Sequence, residues 1–278
     1  MNLLALDTST DRLCMALCSG EAVHAHEEPG GPQASQRLLP AAQALLVQQG
    51  LTWRDLDGLA FGQGPGAFTG LRGTCAAVQG LCLGLGVSAV AVPSLLIVAE
   101  DARQQALDSG QLKPTQACTV AVAMDARMGQ VYDDQAHWDG RHWRPMTSPL
   151  VRSPSEVAES WQTVRAQEAD RVHQAERPGH DRQGAAQGTW LYAGSGLDLM
   201  PLELAGPLRH RAALWAPHVA HRGAALGRCA VAAWAAGPRL DAAQVMPWYV
   251  RDRVALTTAE RRAQGASAVM GLATGQAR

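Results

Sequence analysis

The chain has 278 residues, 47% of them hydrophobic, enough for two modest domains with cores of their own. Its 24 basic and 25 acidic residues leave a net charge of −1, which excludes a protein that grips nucleic acid unaided, since such proteins carry a basic face. Six cysteines, at 14, 18, 75, 82, 118 and 229, form no CxxC pair and read as small buried hydrophobes. The start has no basic region and meets an acid at Asp7, so no signal peptide and a reducing, cytoplasmic setting are expected.

Residues 3–6 predict a buried strand that ends in Asp7-Thr8-Ser9-Thr10-Asp11. Residues 13–18 and 21–27 follow as second and third strands, the third alternating in character. Residues 35–49 predict an amphipathic helix with Leu38, Leu39, Ala42, Leu45 and Leu46 on one side. A strand over 56–61 runs into Gly62-Gln63-Gly64-Pro65-Gly66-Ala67-Phe68-Thr69-Gly70-Leu71-Arg72-Gly73. A helix over 69–85 comes next, with Thr69 as N-cap and Gly86 past its end. Residues 87–92 predict a strand and 94–103 the opening of another helix. The stretch 73–99 carries no charge and is long enough to span a bilayer. Gly84, Gly86, Ser88 and Pro93 divide it, so it reads as helix, strand, helix, with no membrane span.

The chain then starts again. Residues 118–125 are apolar and end in Asp125, like the first strand, and 131–138 and 141–145 supply strand pieces around Asp139-Gly140. Residues 165–188 are polar and predict a surface insertion without a core. Residues 190–193 predict a strand before Gly194-Ser195-Gly196, residues 218–236 an Ala-rich helix, and 256–278 a flexible tail. The expected fold class is α/β, a mixed sheet covered by helices, repeated weakly as two related halves. The first domain is placed over 1–103, the second over 104–255, with a last helix able to return to the first.

The glycine run resembles a phosphate cradle but has no Lys-Ser or Lys-Thr after it, and its spacing is GxGxxxG. Its small residues continue into the helix at Gly70, Gly73, Ala77, Gly80 and Gly84. Glycine inside a helix costs about 1 kcal/mol against alanine, so such a stripe predicts close packing against that face. Two strand–Asp–turn units are how phosphate-binding folds grip a nucleotide. Here the turns Asp7-Thr8-Ser9-Thr10 and Asp125-Ala126-Arg127 lack the glycines for close backbone approach, and vestigial loops are the expectation. His24 with His26, and His218 with His221, lack a third metal ligand and read as solvent-facing. Ser9, Ser94 and Ser195 sit at strand ends without a nucleophile elbow. Asp7, Asp125 and Glu100 could be paired carboxylates, with turn capping the plainer reading. Trp248 and Tyr249 beside Arg251 and Arg253 suit stacking on a base or, more simply, a docked C-terminal segment.

Leu-Ala-Leu-Asp-Thr-Ser-Thr at 4–10, Gly-Pro-Gly-Ala-Phe-Thr-Gly-Leu-Arg at 64–72, Met-Asp-Ala-Arg-Met-Gly-Gln-Val-Tyr at 124–132 and Tyr-Val-Arg at 249–251 together resemble the TsaB (YeaZ) family. The likeness covers residues 1–135 closely, and the GPGxFTGLR motif is its specific part. It implies an actin-like, RNase-H-like fold and a supporting role in bacterial tRNA modification. Such subunits pair with the catalytic TsaD and with the ATPase TsaE, and can pair with themselves. The assembly forms threonylcarbamoyladenosine beside the anticodon of tRNAs reading codons that begin with A, from a donor made by TsaC. The resemblance thus implies a non-catalytic activator of TsaD that meets tRNA only through the complex. It places the partner interface on the helices at 35–49 and 69–85: Leu38, Leu39, Ala42, Leu45, Leu46, Phe68, Thr69, Gly70, Gly73, Ala77, Gly80 and Gly84. Gln36 stands where many relatives carry an acidic or other polar residue, and the metal-binding histidines of TsaD-type relatives are missing. No metal and no cofactor are therefore expected. The competing readings are a stand-alone actin-like ATPase or phosphotransferase, and a peptidase, for which no nucleophile or metal site is found.

Overall fold

Leu4 and Leu6 of the first strand pack to one side of their sheet, Leu3 and Ala5 to the other. A strand apolar on both faces needs cover on both, and the chain supplies it as two helical layers. The computed structural model describes residues 1–31, 33–175 and 188–251. The strands β1 (Asn2–Asp7), β2 (Arg12–Ser19) and β3 (Ala22–Pro29) form an antiparallel meander. After α1 (Ala34–Gln48), β4 (Gly58–Gly64) lies parallel to β1. After α2 (Phe68–Leu85), β5 (Ala89–Pro93) lies parallel to β4, giving the order β3-β2-β1-β4-β5. Beyond β5, the backbone of Ala89 exchanges hydrogen bonds with Leu240 at 2.9 and 2.8 Å.

From α3 (Ser94–Asp108) the chain builds a second sheet. Its strands are β6 (Cys118–Arg127), β7 (Gln130–Trp138), β8 (Trp143–Pro145), β9 (Leu150–Arg152), β10 (Trp190–Ala193) and β11 (Leu214–Ala216). The order β11-β10-β6-β7-β8, with β9 on β7, matches the first sheet strand for strand. The two halves expected from the sequence are thus one topology used twice, the actin-like arrangement.

The helices α4 (Pro154–Ala175) and α5 (Leu202–His210) complete the second half. The last, α6 (Arg222–Ala236), returns to the first sheet, where Ala225 and Leu226 pack on Leu3 and Ala5. Its N-terminus is held by carboxylates: Asp101 accepts the N–H groups of Ala220 and His221 at 3.0 and 2.8 Å, and Glu27 accepts that of Gly223 at 2.7 Å. Negative charge suits a helix start.

Several expectations need correction. Thr69 is not the N-cap of α2, which starts at Phe68 with Ala67 before it, while Gly86 does close the helix in a left-handed conformation (φ +70°). The polar stretch from 165 is not coreless at its start. It continues α4, and Arg165 is buried, bonded to Glu168 at 2.7 Å and set over the Trp190 ring. The helix expected over 218–236 begins at Arg222. Residues 176–187 of the expected insertion and the tail at 256–278 lie outside the described residues. Among the described residues, no helix is long and apolar enough to cross a membrane.

Candidate functional site

Two places collect the residues singled out above: a cleft between the sheets, and the outer face of α1 and α2. The cleft has a volume of about 700 Å³ and is lined by Thr8, Ser9 and Thr10 from the first turn, by Asp125 and Arg127 from the second, and by the start of α2.

Asp7 does not open into it. Its Oδ1 accepts the Ser9 N–H at 2.7 Å, and its Oδ2 accepts Arg222 Nε and Nη2 at 3.0 and 2.8 Å. Arg222 Nη2 also donates to Ser9 Oγ at 2.9 Å, and the arginine is only 3% exposed. Burial is the largest single influence and works against the Arg222 charge, but Asp7, Cys14 and Glu27 together outweigh it and hold the guanidinium above its ordinary value. The aspartate that a phosphate-binding fold would turn toward a metal is here neutralised from within.

The second turn is built alike. Asp125 Oδ1 accepts the Arg127 N–H at 2.7 Å, and its Oδ2 pairs with the Arg127 side chain at 3.2 Å. Where glycines would let a phosphate approach, Arg127 and Met128 take left-handed φ values of +64° and +58°. The serines are equally occupied. Ser94 Oγ accepts the Gly64 N–H and Ser195 Oγ the Asp125 N–H, both at 3.1 Å. Glu100 binds Arg103, Arg228 and the Trp143 indole. Each carboxylate therefore has its own donors: Asp7 and Asp125 cap their turns, whereas Glu100, inside α3, caps none and pairs with two arginines. Burial pushes the thiols up, Cys75 to about 11 and Cys14 to about 12, so they stay protonated. Among the described residues, no three His, Cys, Asp or Glu side chains group as metal ligands.

The glycine stripe divides in two. A Cβ on Gly70 would lie 1.8 Å from the Thr8 carbonyl oxygen, and one on Gly66 2.4 Å from that of Ser9. These glycines admit the chain's own first turn, which Thr8 pins to α2 through Gly70 O and Thr74 Oγ1. Gly73 lies against Ser35 of α1. Gly80 and Gly84 have nothing within 4 Å of a Cβ position. They line an open groove of about 480 Å³ with Leu39, Pro40, Gln43, Trp53, Leu81 and Leu85.

The expected interface is corrected accordingly. Leu38, Ala42, Leu45 and Leu46 are buried against Met15, Phe61 and Val78 of their own core and cannot meet a partner. Gly70 is taken up by the first turn, and Phe68, Gly73 and Ala77 are half-buried. Leu39, Thr69, Gly80 and Gly84 remain exposed. Sequence reasoning missed Leu83, 77% exposed, and Val47, 62% exposed. The signal was available in the charge pattern. Across 33 residues the two helices carry only Arg37 and Arg72 as charged side chains, whereas a helix face left to water is normally charged. The aromatic C-terminal segment is docked: Tyr249 stacks on Phe68 with 5.2 Å between ring centroids.

The family model described as TsaD, tRNA N6-adenosine threonylcarbamoyltransferase, matches residues 21–181. The Escherichia coli K12 tRNA threonylcarbamoyladenosine biosynthesis protein TsaB is 33% identical over 172 residues, 59% of this chain and 71% of that protein. The Haemophilus influenzae protein of the same name is 33% identical over 175 residues, 60% and 70% of the two chains. The solved structure of YeaZ from Pseudomonas aeruginosa aligns with a TM-score of 0.66 at 30% identity, over 89% of this chain and 99% of that one.

Proposed function

This chain belongs to the TsaB family, and from that premise we propose that it is a non-catalytic subunit that binds and activates a TsaD-type partner. The product is N6-threonylcarbamoyladenosine beside the anticodon of tRNAs reading codons that begin with A. The observation that carries this reading is the charge-poor outer face of α1 and α2, with the Gly80–Gly84 groove left open between Leu39 and Leu85. Depletion of charge is the compositional mark of an interface core, and two glycines at a groove floor let another backbone come close.

The cleft supports the non-catalytic part of the reading. Mg-ATP chemistry at an actin-like site needs a free aspartate, and Asp7 is spent on Arg222 and Ser9. The near-neutral net charge fits contact with tRNA only through the complex. TsaE joins the same assembly, the face also serves a second copy of this chain when TsaD is absent, and the work is cytoplasmic.

Gly80→Leu tests the interface cleanly, because no atom stands near the Cβ position and the fold is spared. The variant is expected to keep the wild-type melting temperature and to elute apart from purified TsaD in size exclusion. Co-elution of the folded variant with TsaD, at the wild-type ratio, refutes the reading.

A further inference from the structure

The described chain ends in a strap, residues 245–251, that runs back across α2. The Trp248 N–H donates to the Gln63 carbonyl at 2.8 Å, and Gln79 Nε2 donates to that of Val245 at 2.9 Å. Arg72 lies over the Phe68 ring at 4.0 Å and donates from Nε to Tyr249 Oη at 2.8 Å. This lock is not exposed chain end loosely laid down. It fixes the backbone on both sides of Met246 and Trp248 and leaves their side chains 55% and 39% exposed. Met246 Sδ lies 4.0 Å from Gln79 Nε2, and Leu83 stands one turn further along the same helix face. A patch of large apolar groups therefore adjoins α2 beside the open groove.

We infer that the strap is the third element of the partner face, with Met246, Trp248 and Leu83 as anchors beside the Gly80–Gly84 groove. The inference rests on the interface reading above and extends it. Its occupant is the equivalent helix pair of the TsaD-type subunit. The TsaD model matches residues 21–181, a span that contains both α1 and α2, so that subunit brings the same two helices. The argument for one continuous surface is α2 itself. Ala76, Gly80, Leu83 and Gly84 are exposed in succession along it, so a helix seated over the glycines reaches the strap as well. Between 245 and 250 the strap has no charged residue. Trp is among the residues that most often anchor an interface, and Met is enriched there with it.

Calorimetric titration of purified TsaD with the full chain, Gly80→Leu and the double variant Met246→Glu/Trp248→Glu separates the two claims. The double variant is expected to keep the wild-type melting temperature and to bind about tenfold or more weakly, as loss of an anchor does. Hydrogen exchange of wild-type residues 245–249 is expected to slow when TsaD is added, a readout that needs no variant. Binding by the double variant within about twofold of wild type, with unchanged exchange, overturns the inference while loss of binding in Gly80→Leu leaves the interface reading standing. Weakening confined to self-association assigns the strap to a second copy and also overturns it. Undiminished binding by both variants overturns both claims.

Discussion

Asp7 and Asp125 stand at matching places in the two sheets, each closing a turn by accepting the N–H two residues on. Their surroundings diverge. The first turn is buried, roofed by Gly66 and by Gly70 of the 18-residue α2, and locked by Arg222 of α6. The second stands at the cleft, its Arg127 81% exposed, and the strand beside it leads into a five-residue 3₁₀ turn, Ser195–Leu199. The first turn has become a platform for α2 and, in the function proposed above, α2 carries the partner face. The other stays at the cleft, with Arg127 and Met128 in left-handed conformations ahead of Gly129.

Four substitutions test that contrast. Asp7→Ala strands the Arg222 charge in the interior and is expected to cost about 3–5 kcal/mol, read by urea unfolding. A loss under about 1 kcal/mol would mean that the pair does not lock the turn. Gly70→Ala drives a Cβ into the Thr8 carbonyl and is expected to cost about 3 kcal/mol by overpacking; unchanged stability in the same assay contradicts the roof. Asp125→Ala removes a half-exposed acceptor and is expected to cost about 1 kcal/mol, so matching the loss of Asp7→Ala would erase the difference between the turns. Met128→Gly relieves a left-handed residue and is expected to gain about 1 kcal/mol. A lower melting temperature for that variant would show that Met128 is held by contacts worth more than the strain.

Much of the first half was legible because its signals are local. β1, β4 and β5 are short apolar runs between turn residues, and the helices between them stop at Gln49 and Gly86. The interface was only half legible. Leu38 and Leu39 are neighbours in sequence, and successive residues on a helix point about 100° apart, so both cannot face the sheet. The leucine count alone cannot say which one does. The Asp7–Arg222 pair was not legible, since 215 residues separate the partners. An arginine opening an apolar helix was its only trace. The start of the expected insertion misled because Arg165 and Glu168 satisfy each other beneath Trp190, so a polar sequence is buried by pairing. The three-residue strands β9 and β11 are too short to show any period.

The return of α6 to the first sheet has a consequence for biosynthesis. One face of β1 is covered by Ala225 and Leu226, so the lobe that is made first cannot be finished until nearly the whole chain has left the ribosome. Until then Leu3 and Ala5 lie bare on a half-covered sheet, the kind of apolar surface on which nascent chains stall or stick. The long-range ion pair between Asp7 and Arg222 therefore forms only once α6 has been made, and it joins β1 to α6.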